Sequence, residues 1–468
     1  MRNYFSVLLI LLLFLFSKCL FAQHYKIEIE LPNEAGKQVR LAYHFLDKLY
    51  AADTTVLDSK GAGIFEGDSL LTQGLYKILI DDEHHFDFLL GADQQFHLYN
   101  AGTNSAQMKI KGSEESEAFV NYLNFLETMK TQSRELNEQY KTVDENRKKE
   151  IREHLQNLNA EMRAYREKIN HKLPGSFLYK FLIANEVPHL DTSTLPVEIQ
   201  QSDSLLLLAK FRYQLEHYWD NFDYTDERML YTPFYKPKLE TWFTKVLYPA
   251  YDSVKPYVYQ FLDNVESNPR IFQYAASYFI NAAINSNILG MDALFVDLAN
   301  DYYLNGKAFW ASESTLDKVR ENVIFLKDNL IGKTAPDLTL ENFDGEYVDL
   351  HQIDAEITIL IIYEPNCGHC KVFVPELYNE VYQSYKNKGL EVFAIYSMDN
   401  REEWTEFLTE HHLFDWINVW DEHQTTRFKI LYDGRKTPGV YVLDHDKKII
   451  AKKLDIEQLK QLLADTLK

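Results

Sequence analysis

The chain has 468 residues, of which 46% are hydrophobic and 25% are charged. This is the composition of a globular protein, and the length is sufficient for two or three domains. The formal net charge is −21, which argues against a nucleic acid partner because phosphate binding requires clustered lysine and arginine side chains.

The first 22 residues have the pattern of a targeting signal. Arg2 gives a positive start, residues 5–16 form an apolar run interrupted only by Ser6, and Ala22 provides a small residue for cleavage. The run is short for a membrane span, and no second long apolar stretch follows it. We therefore expect cleavage of a signal peptide (1–22) and a mature chain without a transmembrane span in the periplasm or cell envelope.

Cys19 offers an alternative, because a cysteine in a signal can carry a lipid anchor. Lys18 and Phe21 flank it, whereas a lipoprotein signal prefers small residues before the cysteine, so cleavage is the favoured interpretation. The mature chain then has two cysteines, Cys367 and Cys370. A disulfide across so short a loop adds little stability, and chemistry is the better explanation for the pair.

Residues 24–112 have the alternation of β-strands. Apolar side chains at every second position, as in Tyr25, Ile27 and Ile29, are separated by turn-rich breaks such as residues 61–63. We expect a small antiparallel β-sandwich without a metal site.

Residues 113–330 change to helical spacing and predict an all-α domain. Ser113, Ser116 and Glu117 offer a capping start. Residues 130–171 are highly charged with a sparse apolar stripe, which predicts a long exposed helix pair. This part of the sequence has neither a nucleophile–base arrangement nor a glycine-rich phosphate loop, so no catalytic residue is predicted in it.

Gly332 and Pro336 mark a boundary, after which strands and helices alternate. The fold class is therefore a multidomain chain with an N-terminal antiparallel β-sandwich, a central all-α region and a C-terminal α/β domain over residues 331–468. The elements predicted in the last domain are strands 347–350, 357–363, 390–396, 417–420, 440–443 and 448–451, and helices 367–385, 401–411 and 455–467.

The predicted reactive site lies where the apolar strand 357–363 meets a helix. A short turn leads to Cys367 and Cys370, and the free N–H groups of a first helical turn stabilise an anion. Cys367 is therefore the predicted low-pKa nucleophile. Cys370 lies one turn later on the same side, where it can attack a mixed disulfide formed at Cys367.

Two other interpretations of the cysteine pair were weighed. A structural zinc site needs two further ligands, and His369, His411, His412 and His423 do not have suitable spacing. An inert disulfide is the other alternative. Redox chemistry is favoured over both, and neither a metal nor another cofactor is predicted.

Residues 331–468 resemble the thioredoxin superfamily, and more narrowly its exported TlpA/ResA-like branch. The resemblance rests on Gly332, Ala335 and Pro336, on Pro375 five residues after Cys370, and on Thr437–Pro438 before a strand. It implies a thioredoxin-like fold in which Pro438 is a cis-proline facing the disulfide. It also implies that the Thr437 backbone pairs with an extended substrate segment. Residues 24–330 resemble the N-terminal halves of exported thioredoxin-like proteins.

The Gly368–His369 dipeptide matches that of protein disulfide isomerases. A histidine there favours the Cys367 thiolate and implies a less reducing potential than that of a Gly-Pro thioredoxin. The sequence also departs from the family at two positions. Ile361 replaces the buried acid of thioredoxins, and Phe373 replaces a glutamate of the ResA-like branch, so proton transfer from Cys370 is expected to use water or Glu364.

The predicted function is an exported thiol–disulfide oxidoreductase acting on protein substrates, with a membrane-bound electron donor as a further partner. A reductase or isomerase is favoured over an oxidase. Peroxiredoxin chemistry is a neighbouring alternative, although Glu364 and Leu360 occupy the positions where that chemistry needs Thr or Ser and Pro. The runner-up is an envelope binding or scaffold protein with an accessory thioredoxin-like domain.

Overall fold

The computed structural model describes residues 24–467, so the predicted signal peptide and Cys19 lie outside the described residues. The chain forms two compact units, which divide between Leu247 and Tyr248. The boundary expected near residue 331 lies inside the second unit, so the helices from residue 251 onward share a unit with the C-terminal sheet.

The first unit begins with two four-stranded sheets over one hydrophobic core. Their orders are β4-β1-β7-β8 and β3-β2-β5-β6. The predicted sandwich is confirmed, and Ile27 and Ile29 are buried as the alternation requires. One pair departs from the expectation, because β1 and β7 run parallel. The strands are β1 Tyr25–Glu30, β2 Gln38–Phe45, β3 Lys48–Val56, β4 Ala62–Gly67, β5 Gly74–Leu79, β6 His85–Leu90, β7 Gln95–Tyr99 and β8 Lys109–Lys111.

Helices follow the sheets in the first unit. The two longest, α1 and α2, form the long pair expected from the charged stretch and pack against each other through stacked Phe125 and Tyr165, with ring centroids 4.3 Å apart. The helices are α1 Glu114–Tyr140, α2 Glu145–Lys172, α3 Phe177–Ile183, α4 Val197–Gln200, α5 Asp203–His217 and α6 Tyr235–Thr241, with a π-helical turn at Trp242–Val246.

The start of α1 differs from the expected cap. Ser113 precedes the helix but makes no side-chain capping hydrogen bond. Instead, the Ser113 and Ser116 hydroxyls lie 2.8 Å apart, and Ser116 donates to the Leu89 carbonyl at 2.7 Å. Both serines are fully buried, so they fasten the helix to β6 because a buried hydroxyl requires a partner.

The second unit combines helices with a seven-stranded mixed sheet of order β10-β9-β13-β12-β11-β14-β15. Its strands are β9 Thr339–Asn342, β10 Tyr347–Asp349, β11 Ile357–Tyr363, β12 Leu390–Tyr396, β13 Ile417–Trp420, β14 Gly439–Asp444 and β15 Ile449–Lys452. Its helices are α7 Tyr251–Val265, α8 Pro269–Ile284, α9 Met291–Leu298, α10 Glu313–Leu326, α11 Cys370–Glu376, α12 Gln383–Tyr385, α13 Arg401–His411, α14 Phe428–Leu431 and α15 Ile456–Thr466.

Strand β11 is the centre of this sheet. All seven of its residues are buried, because β12 pairs with it in parallel on one side and β14 pairs with it antiparallel on the other. Apolar side chains therefore cover both faces of β11. One face belongs to the core cluster that contains Ile361, and the other face belongs to the cluster that contains Ile362. The carboxyl end of this rigid strand carries the reactive site.

The helix predicted over residues 367–385 starts later than expected and is irregular in its middle. It begins at Cys370, and after α11 the backbone forms a π-helical turn over Leu377–Tyr382 before α12. Pro375 lies inside α11 and has no N–H to donate to the preceding turn.

Among residues 24–467, none of the helices has the length and apolar character that crossing a membrane requires.

A buried ion pair connects the helices of the second unit to its sheet. Lys452 is 4% exposed, and its ammonium pairs with Asp292 of α9. It also donates to the backbone and side-chain oxygens of Asn329, each at 2.9 Å. Burial lowers the pKa of Lys452. These contacts explain why residues before the predicted boundary fold with the sheet.

We expect Lys452→Met to lower the free energy of unfolding by about 3–5 kcal/mol, because it leaves the Asp292 carboxylate without its cation in a dry environment. Urea unfolding followed by tryptophan fluorescence measures this change. Combining Lys452→Met with Asp292→Leu should recover most of the loss, whereas the exposed Lys448→Met is the matched control. Equal losses in the single and double variants would contradict the role of the pair.

Candidate active site

Local hydrogen bonds hold the chain between β11 and α11 in one conformation. The Cys367 N–H donates to the Glu364 carbonyl at 3.1 Å, and the Cys367 carbonyl accepts from the Lys371 N–H at 3.1 Å. Cys367 therefore stands just before the first helical turn, where backbone N–H groups have no partner within the helix. Cys370 is the first residue of α11.

The two cysteines have different environments. Both are free thiols; Cys367 is half-buried, and Cys370 is fully buried. Cys370 belongs to the core cluster between the sheet and α11, and Cys367 packs against the edge of that cluster. Only the sulfur of Cys367 is therefore accessible to a large partner.

Hydrogen bonds favour the thiolate form of Cys367. Partial burial by itself would raise the pKa of this thiol, but the Thr437 side chain, the Cys370 thiol and the backbone N–H groups of Cys370 and His369 donate to the sulfur. These hydrogen bonds outweigh the burial and lower the pKa of Cys367 to about 7. A large fraction of Cys367 is therefore an anion at neutral pH, as a sulfur nucleophile requires.

Burial has the opposite result at Cys370. Removal from water raises the pKa of this thiol to about 12, and its hydrogen bond to Cys367 contributes because the proton is needed to donate it. The Glu364 backbone N–H and the Thr437 side chain favour the thiolate but do not compensate. Cys370 therefore keeps its proton until Cys367 loses its negative charge.

A loop from the other side of the site approaches the sulfurs. The Thr437–Pro438 peptide bond is cis, and in its protonated form the Cys367 thiol donates a hydrogen bond to the Thr437 carbonyl at 3.3 Å. Thr437 and Pro438 are both half-buried. Thr437 is 70 residues from Cys367 in the sequence. The pairing of β14 with β11 brings the two segments together.

The dipeptide between the cysteines faces solvent. Gly368 and His369 are exposed, and a Cβ atom added at Gly368 would meet no atom within 4 Å. His369 contributes to the site through its backbone N–H, which favours the Cys367 thiolate. Within residues 24–467 the His369 imidazole forms neither a hydrogen bond nor an ion pair with the Cys367 sulfur.

Glu364 reaches Cys370 through its main chain. Its backbone N–H donates to the Cys370 sulfur, and its carboxylate accepts a hydrogen bond from the Ser397 hydroxyl at 3.2 Å. Ser397 is 4% exposed and follows β12. Ile361 is fully buried in the same cluster as Cys370, and Phe373 packs against that cluster, so hydrocarbon occupies both positions where the related families have an acid.

Aromatic side chains that the sequence analysis did not select lie below the site. Tyr363 ends β11, and its hydroxyl accepts a hydrogen bond from the Trp404 indole at 2.9 Å. Both side chains are fully buried, and Trp404 stacks on Tyr396 with an interplanar angle of 6°. Burial raises the pKa of the Tyr363 hydroxyl. The sequence feature that could have indicated a role for Tyr363 is its position at the end of the central strand β11.

Metal ligation finds no support in the described part of the chain. No group of three or more histidine, cysteine, aspartate or glutamate side chains within residues 24–467 is arranged to hold an ion. The arrangement can instead perform sulfur chemistry, because it combines an accessible thiolate, a protonated thiol in hydrogen-bond contact with it, and a backbone carbonyl beside the nucleophile.

Comparisons with known proteins match the second unit. Residues 331–452 match the model of the AhpC/TSA family. The thiol-disulfide oxidoreductase ResA of Bacillus cereus is 25% identical over 133 residues, which cover 28% of this chain and 74% of that protein.

Solved structures are similar as well. A domain of a possible thiol-disulfide isomerase from Cytophaga hutchinsonii is 38% identical, with 29% of this chain and 92% of that chain covered and a TM-score of 0.28. A thioredoxin-like protein from Bacteroides caccae is 19% identical, with 60% and 98% covered and a TM-score of 0.46.

The name of the ResA relative, a thiol-disulfide oxidoreductase, supports an oxidoreductase here. The C-terminal part of the chain is a thioredoxin-like domain of the AhpC/TSA family, homologous to the ResA thiol-disulfide oxidoreductases.

Proposed function

We propose that the protein is an exported thiol–disulfide oxidoreductase that exchanges disulfides with protein substrates through Cys367 and Cys370. The observation that supports this most directly is the pair of free thiols at the end of β11, of which Cys367 is half-buried and Cys370 fully buried, with the pKa lowered to about 7 at Cys367 and raised to about 12 at Cys370. A two-step exchange requires a nucleophilic thiolate and a second thiol that stays protonated until the mixed disulfide has formed.

In the first step the Cys367 thiolate attacks one sulfur of a substrate disulfide. A bond forms between Cys367 and that sulfur, the substrate disulfide breaks, and the other substrate sulfur leaves as a thiolate. In the second step Cys370 loses its proton and attacks the Cys367 sulfur, so that the 367–370 disulfide forms and the substrate is released. Two electrons pass from the enzyme to the substrate, whose two sulfurs both leave as thiolates; Cys370 supplies one proton and solvent supplies the second that the substrate dithiol requires.

Removal of the negative charge at Cys367 prepares the second step. Burial is the main reason why Cys370 stays protonated, and while Cys367 is a thiolate the hydrogen bond between the sulfurs and the repulsion of a second anion add to this effect. Once Cys367 is in a mixed disulfide, the last two effects disappear. The proposed role of the Thr437 backbone, which lies beside the Cys367 sulfur, is to pair with an extended substrate segment.

The favoured direction is reduction or isomerisation. The resemblance to the exported TlpA/ResA-like branch favours reduction, whereas the stabilised Cys367 thiolate and the Gly368–His369 dipeptide favour the dithiol form and so point toward isomerisation. A reductase would receive electrons from a membrane-bound donor. The signal-like residues 1–22 support an exported location in the periplasm or cell envelope.

We expect Cys367→Ser to abolish insulin reduction in the presence of dithiothreitol. The Cys370→Ala variant should still react once with an aromatic disulfide such as 5,5′-dithiobis(2-nitrobenzoate), releasing one thionitrobenzoate and keeping the other as a mixed disulfide. Stopped-flow absorbance measures the release of thionitrobenzoate, and mass spectrometry detects the trapped adduct. Equal insulin turnover by wild type and Cys367→Ser would refute the proposed function.

The pH dependence of alkylation should follow the Cys367 thiolate. We expect the rate of iodoacetamide reaction to rise with pH and to be half-maximal near pH 7, because the folded protein holds the pKa of Cys367 below its ordinary value. The stability that this lowered pKa contributes is present at alkaline pH and is lost as pH falls through 7. A midpoint near the ordinary cysteine value would contradict these hydrogen bonds.

Glu364 is proposed as the acceptor of the Cys370 proton, because related families use an acid where this chain has Ile361 or Phe373. The Glu364→Gln variant should release the first thionitrobenzoate at the wild-type rate and the second about tenfold more slowly. The exposed Glu402→Gln is the matched control. A second phase as fast as in wild type would assign the proton transfer to water.

A further inference from the structure

The first unit contains a cavity that the redox chemistry does not use. It has a volume of about 810 Å³ and lies among α1, α2, α3 and the segment 185–189. This volume is within the range of sites for drug-sized ligands.

Two helices give the cavity an apolar wall. Phe119, Leu123 and Leu126 of α1 line it at helical spacing, and Phe181 of α3 and Phe234 face the same space. Phe119 and Phe181 are in edge contact, with ring centroids 5.9 Å apart. Leu123 and Leu126 are only partly buried, so they retain surface that an apolar ligand could cover.

The opposite wall, on α2, is polar and basic. Arg163 and Arg166 line the cavity together with Asn159. Arg166 is buried and pairs with Glu186, so its charge is compensated. Arg163 is exposed and forms no ion pair among the residues that the structure describes. The cavity is also lined by two carboxylates, Asp87, which pairs with Lys77, and Glu186. Arg163 is therefore the lining guanidinium that has no ion-pair partner in the described part of the chain.

The mouth of the cavity is formed by residues 185–189. Val187 is 78% exposed there, and Asn185 and His189 are exposed as well. A ligand with an apolar body can therefore enter beside Val187 and place a charged end in water or at the arginine.

We propose that this cavity binds a small amphipathic anion, with the apolar body against α1 and α3 and the anionic group at Arg163. The apolar wall excludes a purely polar ligand, and the uncompensated guanidinium selects an anion over a neutral or cationic molecule of the same shape. The proposal is independent of the cysteine chemistry, since none of its residues belongs to the thioredoxin-like domain.

Two fluorescent probes of nearly the same shape test the proposal. 8-Anilinonaphthalene-1-sulfonate carries a sulfonate, and N-phenyl-1-naphthylamine is its uncharged counterpart. We expect the full chain to bind the sulfonate at one site per chain by isothermal titration calorimetry, about tenfold more tightly than the uncharged probe. Equal affinity for the two probes, or binding of neither, would overturn the proposal.

Variants assign the binding to this cavity. Arg163→Gln should weaken the sulfonate about tenfold and leave the uncharged probe unchanged, whereas Arg147→Gln, an exposed site on the same helix that does not line the cavity, should change neither. Leu123→Trp should weaken both probes because it fills the space. Wild-type sulfonate affinity in Arg163→Gln, or wild-type affinity for both probes in a folded Leu123→Trp, would place the binding elsewhere and refute the inference.

Discussion

The site depends on the difference in burial between its two thiols, since Cys370 is fully buried and Cys367 is half-buried. Burial keeps the Cys370 thiol protonated, and its hydrogen bonding to Cys367 favours the thiolate there. The strand, the turn and the helix hold Cys370 inside the core and Cys367 at its edge. The order of the two chemical steps follows from this difference in burial.

The sequence predicted most of the second unit, because its central strands are continuous apolar runs. Strands 357–363 and 390–396 and helix 401–411 agree with the structure at both ends. Strand β9 was missed, since its four residues, Thr339–Asn342, alternate weakly and pair only in part with β13. The division after Leu247 was not predictable, because contacts such as Lys452 with Asn329 join residues 123 positions apart.

The site was predictable where its residues are close in sequence and less so where the fold brings them together. Cys367 and Cys370 were recognisable from their spacing. The position of Thr437 beside the nucleophile was available only through the family resemblance. Ser397 and Trp404 gave no signal, because a single serine after a strand and a tryptophan in a helix are usual in any α/β domain. Their roles depend on which strands become neighbours.

The open surroundings of Gly368 have a consequence for how such proteins diversify. A side chain added there meets no atom within 4 Å, and the neighbouring His369 is exposed. Mutations in this dipeptide can therefore alter the electron affinity of the couple without repacking the interior. Such mutations change the oxidising strength of the domain through the relative stability of its dithiol and disulfide forms, while the packing of the core stays the same.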